Sequence, residues 1–264
     1  MIGFIGAGKM AEGIIVGLLR TGADPASIHA ADLNAERLHE LHQSLGIHTT
    51  GDNRAVAAAC QTLVLAVKPQ QLDALCQALA PCIGADHLVL SIAAGKRLER
   101  LEALLPKARL IRVMPNLACT VGEGLCAIAC GTHATKADRD TAQQLLEGCG
   151  PVQELPEAQF DAVTALSGSG PAFFAWVLTE FVRGAEAEGL PHATALSLAT
   201  QTMRGTARLL SEKFPDPASL IEAVTSHRGT TAAGREVLEN QATAEILRAT
   251  IGAATRRSRE LSQA

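Results

Sequence analysis

Directly after the apolar run Ile2–Ile5 the chain reads Gly6-Ala7-Gly8-Lys9-Met10-Ala11, and few backbones satisfy that arrangement. It is a G-x-G-x-x-A element between an expected strand and an expected helix. The first glycine permits a tight turn, the second lets the backbone approach a pyrophosphate, and the small Ala11 lets helix and strand pack closely while the helix N-terminus faces the anion. A chain that opens this way is expected to build an open parallel sheet that holds a dinucleotide beyond the carboxyl ends of its strands. The second strand should end at Asp32, an acidic group placed to accept hydrogen bonds from a ribose.

The next hundred and twenty or so residues keep the same alternation. Strands are expected at Ser27–Ala31, Leu63–Val67, Leu88–Ile92 and Leu110–Val113, with weaker candidates at Leu125–Ala129 and Val152–Glu154. Between them Met10–Arg20, Ala35–Leu45, Gln70–Leu79, Leu98–Leu104 and Lys136–Leu146 carry apolar residues at helical spacing. After about Pro156 strand-like alternation stops, and helical patterns run through Phe173–Glu188, His192–Ser211, Thr231–Asn240 and Thr243–Leu261. The expected organisation is an α/β Rossmann-like domain over 1–156, with a mostly parallel, doubly wound sheet, followed by an all-α domain over 157–264. Helices this apolar, in roughly a hundred residues, cannot all bury their faces within one copy, so the second domain is expected to form a homodimer.

Charge and cysteine content narrow the partners. Over 264 residues the formal net charge is −4, which leaves no basic excess to attract nucleic acid or anionic lipid. Met1 is followed by no basic segment and no cleavage signal, and the apolar stretch Ala162–Val182 is interrupted by Ser167, Gly168, Ser169, Gly170, Pro171 and Glu180, making it a poor membrane span. The seven cysteines are scattered without a Cys-x-x-Cys pair, so they read as reduced, mostly buried thiols of a cytoplasmic protein, and no metal is expected. A small molecule and a second copy of the chain remain as the expected partners.

Three expected strand ends carry small residues and proline turns: Ala66-Val67-Lys68-Pro69, Ala93-Ala94-Gly95 and Met114-Pro115-Asn116. Side by side they would make a floor for a flat ring. Taken singly, Lys68 is more simply a solvated loop charge and Met114 core filler.

These segments resemble the pyrroline-5-carboxylate reductase family over essentially the whole chain. The resemblance rests on Ala66-Val67-Lys68-Pro69-Gln70, Arg112-Val113-Met114-Pro115-Asn116, Val121-Gly122-Glu123-Gly124, Leu166-Ser167-Gly168-Ser169-Gly170-Pro171-Ala172, Gly189-Leu190-Pro191, and Val224-Thr225-Ser226 ahead of Gly229-Thr230-Thr231, all in the family's order. It implies reduction of L-1-pyrroline-5-carboxylate to L-proline with NAD(P)H, and a helical domain interlocked with its twin in a dimer, often built further into a ring of dimers. It also implies cofactor positions at Gly6, Ala7, Gly8, Lys9, Met10, Asn53, Val67, Lys68 and the Ala93-Ala94 turn, and a second domain that binds substrate, with positions at Glu157, Val224, Ser226 and the loop through Gly229, Thr230 and Thr231.

From below, Ser226 to Thr231 is a serine, threonine and glycine cluster just ahead of a helix, able to offer backbone N–H groups to a carboxylate. Thr231 is the choice for positioning and proton relay at the imine nitrogen; simple helix capping is the bland alternative. One departure stands inside this loop. His227-Arg228 occupy positions where the family has small residues or glycine, and a side chain is costly there if φ is positive.

Two rival functions are weaker. A β-hydroxyacid dehydrogenase shares the plan but carries a lysine after its own glycine-rich element, and Gly168 to Phe174 offers none. A non-catalytic dinucleotide-binding regulator would not need the substrate loop. For cofactor choice, NADPH-preferring members commonly place Asn-Arg or Ser-Arg where this chain has Asp32-Leu33, so NADH or dual use is expected, with Arg37, one helical turn on, as the nearby group able to swing toward a phosphate.

Overall fold

The computed structural model describes residues 1–240 and 242–263. Its first part follows the order β1 (Ile2–Ile5), α1 (Lys9–Arg20), β2 (Ile28–Ala31), α2 (Ala35–Leu45), β3 (His48–Thr50), α3 (Asn53–Ala59), β4 (Thr62–Leu65) and α4 (Pro69–Leu79). It continues with β5 (Leu88–Ser91), α5 (Leu98–Leu104), β6 (Arg109–Met114), β7 (Cys126–Cys130), α6 (Lys136–Leu146) and β8 (Val152–Glu154). The eight strands form one sheet in the order β3-β2-β1-β4-β5-β6-β7-β8, parallel throughout except that β6 and β7 run antiparallel.

Strand residues alternate between two cores. Phe4, Ala30, Val64 and Leu90 face the layer built by Ile14 and Ile15 of α1, Leu41 of α2 and Leu145 of α6. Ile5, Ala31, Leu63, Leu65 and Val89 face the opposite layer, with Val56 of α3, Leu72 and Leu79 of α4 and Leu101 of α5. Both faces of the sheet are therefore covered, which is why its strands read as short continuous apolar runs.

Helices make up the rest: α7 (Phe160–Val163), α8 (Gly170–Ala187), α9 (His192–Glu212), α10 (Pro217–Val224), α11 (Thr230–Asn240) and α12 (Thr243–Gln263). The interruption expected at Ser167–Pro171 is only a widened turn, a π-helical segment over Thr164–Gly168 closed by Ser169 N donating to Thr164 O at 2.9 Å. The run Glu157–Ala187 is thus long and apolar enough, by length and composition, to cross a membrane. Its Phe160 end is instead buried in the second of the two cores.

Besides the short helix α7, the pattern expected from sequence is present with three elements added. β3 is a three-residue edge strand with no apolar run, and α3 is a short helix capped by Asp52, whose carboxylate accepts from the Arg54 amide at 2.8 Å. The third is α10, begun by Asp216, which accepts from the Ser219 amide at 2.9 Å, with Pro217 at its first position. β4 stops at Leu65, so Ala66 and Val67 are turn rather than strand.

Two compact units emerge, and their limits differ from the compositional boundary at 156/157. The first comprises Met1–Ser169 and Ala254–Ala264, the second Gly170–Ala253. The end of α12 belongs to the first unit, where the Ser258 hydroxyl donates to Asp161 at 2.7 Å and the backbone of Leu261 lies 3.4 Å from where a Gly95 Cβ would stand. In the second unit the buried apolar side chains are few: Val182, Ala195 and Leu220 among the described residues.

Candidate active site

The chain passes from β1 outward through β2 and β3 and then returns to place β4 on the other side of β1. Strand order reverses there, and the crevice beyond the carboxyl ends of such a pair is where open parallel sheets hold ligands. The glycine turn occupies it. Gly6 has φ +98°, and a Cβ on it would stand 2.7 Å from the carbonyl carbon and oxygen of Ala66 and 2.9 Å from the Val67 nitrogen. Gly8 is the opposite case, with no protein atom within 4 Å of its would-be Cβ. Gly8 is also the N-cap of α1 and supplies no side chain to cap it, so the first amides of the helix, at Lys9, Met10 and Ala11, carry no side-chain cap. A cradle with one glycine forced by backbone and one facing empty space fits a pyrophosphate.

The peptide at Ala7 is held from both sides. Its N–H donates to Asp32 Oδ2 at 2.7 Å, and its carbonyl accepts from Arg37 Nε at 2.9 Å. The other Asp32 oxygen accepts from the Asn34 amide at 2.9 Å. Arg37 also pairs with Glu12 at 2.6 Å and Glu40 at 3.2 Å, so the guanidinium that could swing toward a phosphate is already engaged within the fold. Leu33 is exposed and supplies no charge.

The other cofactor positions lie along the same edge of the sheet. Ala66, Val67, Lys68 and Pro69 join β4 to α4, with Lys68 exposed; Ala93 and Ala94 follow β5; Met114 ends β6 with Asn116 just beyond it; and Asn53 opens α3. The Asn116 carboxamide is only half satisfied. Its Nδ2 donates to Ser167 Oγ at 3.1 Å, while its Oδ1 is buried without a partner among the described residues.

The substrate positions divide. Glu157 is in the first unit, and its Oε1 accepts from Arg112 Nη1 at 2.8 Å and from the Leu98 amide at 2.7 Å, which sets a carboxylate on the N-terminus of α5. Arg112 is buried and lies over the Phe160 ring at 4.8 Å. Glu157 therefore ties two elements together. Val224, Ser226, Gly229, Thr230 and Thr231 belong to the second unit. There Gly229 N donates to Ser226 O at 3.1 Å, and a Cβ on Gly229 would fall 2.2 Å from Ser226 Oγ. α11 begins at Thr230, one residue earlier than the periodicity indicates. The hydroxyls of Ser226, Thr230 and Thr231 make no hydrogen bond among the described residues, so capping does not consume them.

Of the pair His227-Arg228, it is Arg228 that sits at positive φ. Its φ is +57°, a left-handed conformation that costs an L side chain roughly 1–2 kcal/mol. Arg228→Gly is expected to raise stability by about that amount, read as an upward shift of the denaturant midpoint at unchanged m-value. No shift, or a fall, would show that the Arg228 side chain contributes more than its backbone costs.

Three thiols form a cluster that the spacing did not reveal. Cys119, Cys126 and Cys149 are buried with their sulfurs within 4.8 Å of one another, and hydrogen bonding to Cys119, with burial, pushes Cys126 up and Cys149 up to about 12. The same hydrogen bonding holds the Cys119 thiol well below its ordinary value, and the three sulfurs pack as core atoms, one ligand short of a structural zinc site.

Comparison with known proteins separates the two halves of the chain. Residues 157–261 match the family model for pyrroline-5-carboxylate reductase dimerisation, and residues 1–95 match that for NADP oxidoreductases, coenzyme F420-dependent. Whole-length relatives join them. The chain is 40% identical to pyrroline-5-carboxylate reductase 3 of Macaca fascicularis over 99% of its own length and 96% of the relative's. It is likewise 40% identical to the pyrroline-5-carboxylate reductase of Methanosarcina acetivorans, over 99% and 98%. The chain belongs to the pyrroline-5-carboxylate reductase family. Among solved structures it is similar to a member of this family from Coxiella burnetii, with a TM-score of 0.94, 35% identity, and 99% and 98% of the two chains covered. The mixed sheet and the helices after it are thus shared with that protein. The Arg112–Glu157 tie and the Ser167 bond to Asn116 lie inside the family's motifs without a partner visible in the sequence.

Proposed function

We propose that this chain reduces L-1-pyrroline-5-carboxylate to L-proline with a nicotinamide dinucleotide, NAD(P)H, as the last step of proline biosynthesis. The observation that carries the reading is whole-length identity of about 40% to pyrroline-5-carboxylate reductases, with the fingerprint and the substrate loop both inside the matched span. When bound, the dinucleotide supplies the hydride. The chain's own work is to hold and orient. The uncapped start of α1, with Gly6, Ala7 and Gly8, takes the pyrophosphate, and Asp32 stands beside the ribose. Asn53, the turns Ala66–Pro69 and Ala93–Ala94, and Met114 and Asn116 line the rest.

For the substrate, the free hydroxyls of Ser226, Thr230 and Thr231 are the groups available to a carboxylate and an imine nitrogen. Thr231 positions the imine and relays its proton. An imine is basic enough to take a proton without a strong general acid, which suits a loop of hydroxyls and no lysine. Val224, exposed beside them, supplies apolar surface for the ring, and Glu157 acts by fixing Arg112 rather than by touching substrate. The test is oxidation of NADH or NADPH with the pyrroline carboxylate beside a panel of hydroxyacid–NAD(P)+ pairs. Turnover with a hydroxyacid and none with the imine would overturn the assignment.

Cofactor choice turns on charge at the end of β2. Asp32 places negative charge where a 2′-phosphate would lie, Leu33 offers nothing to offset it, and Arg37 would have to leave two carboxylates to help. NADH is expected to match or exceed NADPH in kcat/KM at one fixed salt concentration, and Asp32→Ser with Leu33→Arg should shift the ratio toward NADPH. A strong NADPH preference in the natural chain would refute this placement of Asp32.

The working form is a homodimer joined through the helical residues, with rings of dimers as its higher assembly, in the cytoplasm, bound to neither membrane nor nucleic acid. Support comes from the exposed apolar side chains Phe174, Trp176, Phe181, Val237 and Ile246 in a unit that buries little of its own. A partner copy would cover them. Ala175→Glu, between Phe174 and Trp176, is expected to give inactive monomers by sedimentation. A folded, monomeric and fully active variant would remove the dimer from the mechanism.

A further inference from the structure

We infer that Ser167 is a positioning residue, which holds the Asn116 carboxamide so that its free end meets the carboxamide of the nicotinamide; the inference rests on the dinucleotide reading above. Two buried side-chain oxygens lack a hydrogen-bond partner among the described residues, Asp73 Oδ1 and Asn116 Oδ1. The first still faces charge, 3.1 Å from Lys96 Nζ. Asn116 Oδ1 has no such compensation. It stands just past the end of β6, at the edge of the sheet where the ring of a bound dinucleotide is expected.

The rest of Asn116 is fixed. Its carbonyl accepts from the Cys119 amide at 3.0 Å, closing the 3-10 turn Leu117–Val121, and its Nδ2 is tied to Ser167 Oγ at 3.1 Å. Ser167 is delivered by the π-helical segment Thr164–Gly168. A π turn adds one residue to a helix and shifts every later side chain around the axis, a device that recurs at functional sites. This one is seated against β6, because a Cβ on Gly168 would fall 2.5 Å from Met114 Cε. The wide turn, the glycine and the hydroxyl together act on one carboxamide. A primary amide with one end anchored and one end empty is complementary to another primary amide, and nicotinamide is the part of the dinucleotide that carries one. Adenosine, ribose and pyrophosphate have none.

The difference between ligands supplies the test. Dissociation constants for NADH and for ADP-ribose, which has no nicotinamide, are measured by calorimetry on the dimeric full chain and on Ser167→Ala, Ser167→Thr, Asn116→Ala and the double variant Ser167→Ala/Asn116→Ala. Ser167→Ala should weaken NADH roughly tenfold and leave ADP-ribose unchanged, the size of one lost hydrogen bond. Ser167→Thr should retain most of the affinity, and Ser167→Ala should add nothing once Asn116 is alanine. Equal weakening of both ligands would mean that Ser167 only supports the fold, and unchanged NADH binding would mean that Asn116 does not meet the nicotinamide; either overturns the assignment. Natural protein that bound ADP-ribose and NADH equally well would do the same while leaving the dinucleotide site intact, whereas protein binding neither would remove the dinucleotide reading itself.

Discussion

Gly6→Ala is expected to abolish dinucleotide binding and to lower the melting temperature, whereas Gly8→Ala should lose most of the binding with the melting temperature unchanged. The contrast comes from the surroundings of each added methyl group. At Gly6 it meets backbone, at 2.7 Å from Ala66 and 2.9 Å from Val67, in a conformation with φ +98°. Backbone atoms of a central strand connection cannot step aside as the tip of a long side chain would. The cost combines left-handed strain, on the order of 1–3 kcal/mol, with overlap between the turns after β1 and β4. At Gly8 the methyl group meets no protein and the backbone has φ −70°, so only an approaching ligand feels it. Calorimetric titration with NADH and NADPH beside thermal unfolding followed by circular dichroism reads both effects. A Gly6→Ala protein that melted and bound normally would mean that the turn is not the dinucleotide cradle.

Thr231→Val is expected to reduce kcat for the imine by about tenfold to a thousandfold, with dinucleotide affinity preserved. Valine keeps the shape and removes the hydroxyl. Thr231 is exposed in the first turn of α11 and its hydroxyl has no partner among the described residues, so the substitution strands no buried group and should leave folding nearly untouched. Steady-state kinetics with saturating NADH, beside the binding constant of NADH alone, separates the two effects. Full kcat and KM in the variant would pass the role to Ser226 or Thr230.

The parts of this molecule legible from sequence are those in which one residue's chemistry decides the local backbone. The G-x-G-x-x-A turn was visible because glycine is required at Gly6, and the buried strands were visible because both faces of the sheet are covered. β3 was hidden, since a three-residue edge strand, His48–Thr50, needs no apolar run. α10 was hidden behind Pro215 and Pro217, which read as breakers, although a proline at the first position of a helix is well placed. The π turn could not be read at all, because a single extra residue barely disturbs a helical period and Ser167 to Pro171 looks like a plain interruption. Of the site, the strand-end positions came from general rules for open sheets. The substrate positions came from family resemblance, which carries no information about partners, so nothing in the sequence showed that Arg112 and the start of α5 both hold Glu157. Arg37 was named as able to swing toward a phosphate, with no sign of its carboxylates: Glu12 and Glu40 are near in space, and only the fold says so.

The return of the last stretch of α12 to the first unit has a consequence for how the molecule is made. Residues from Ala254 onward are grouped with Met1–Ser169, where Ser258 bonds Asp161 and Leu261 lies against the Gly95 turn. A ribosome delivers the strands and the glycine turn well before this piece. Nascent chains can fold amino-terminal units first, but here the dinucleotide unit lacks a segment until the helical residues between have emerged. Completion of the early-made unit thereby waits on synthesis as far as Ser258 and Leu261, and a fragment cut at the compositional boundary would leave the Gly95 turn without its late-arriving neighbour.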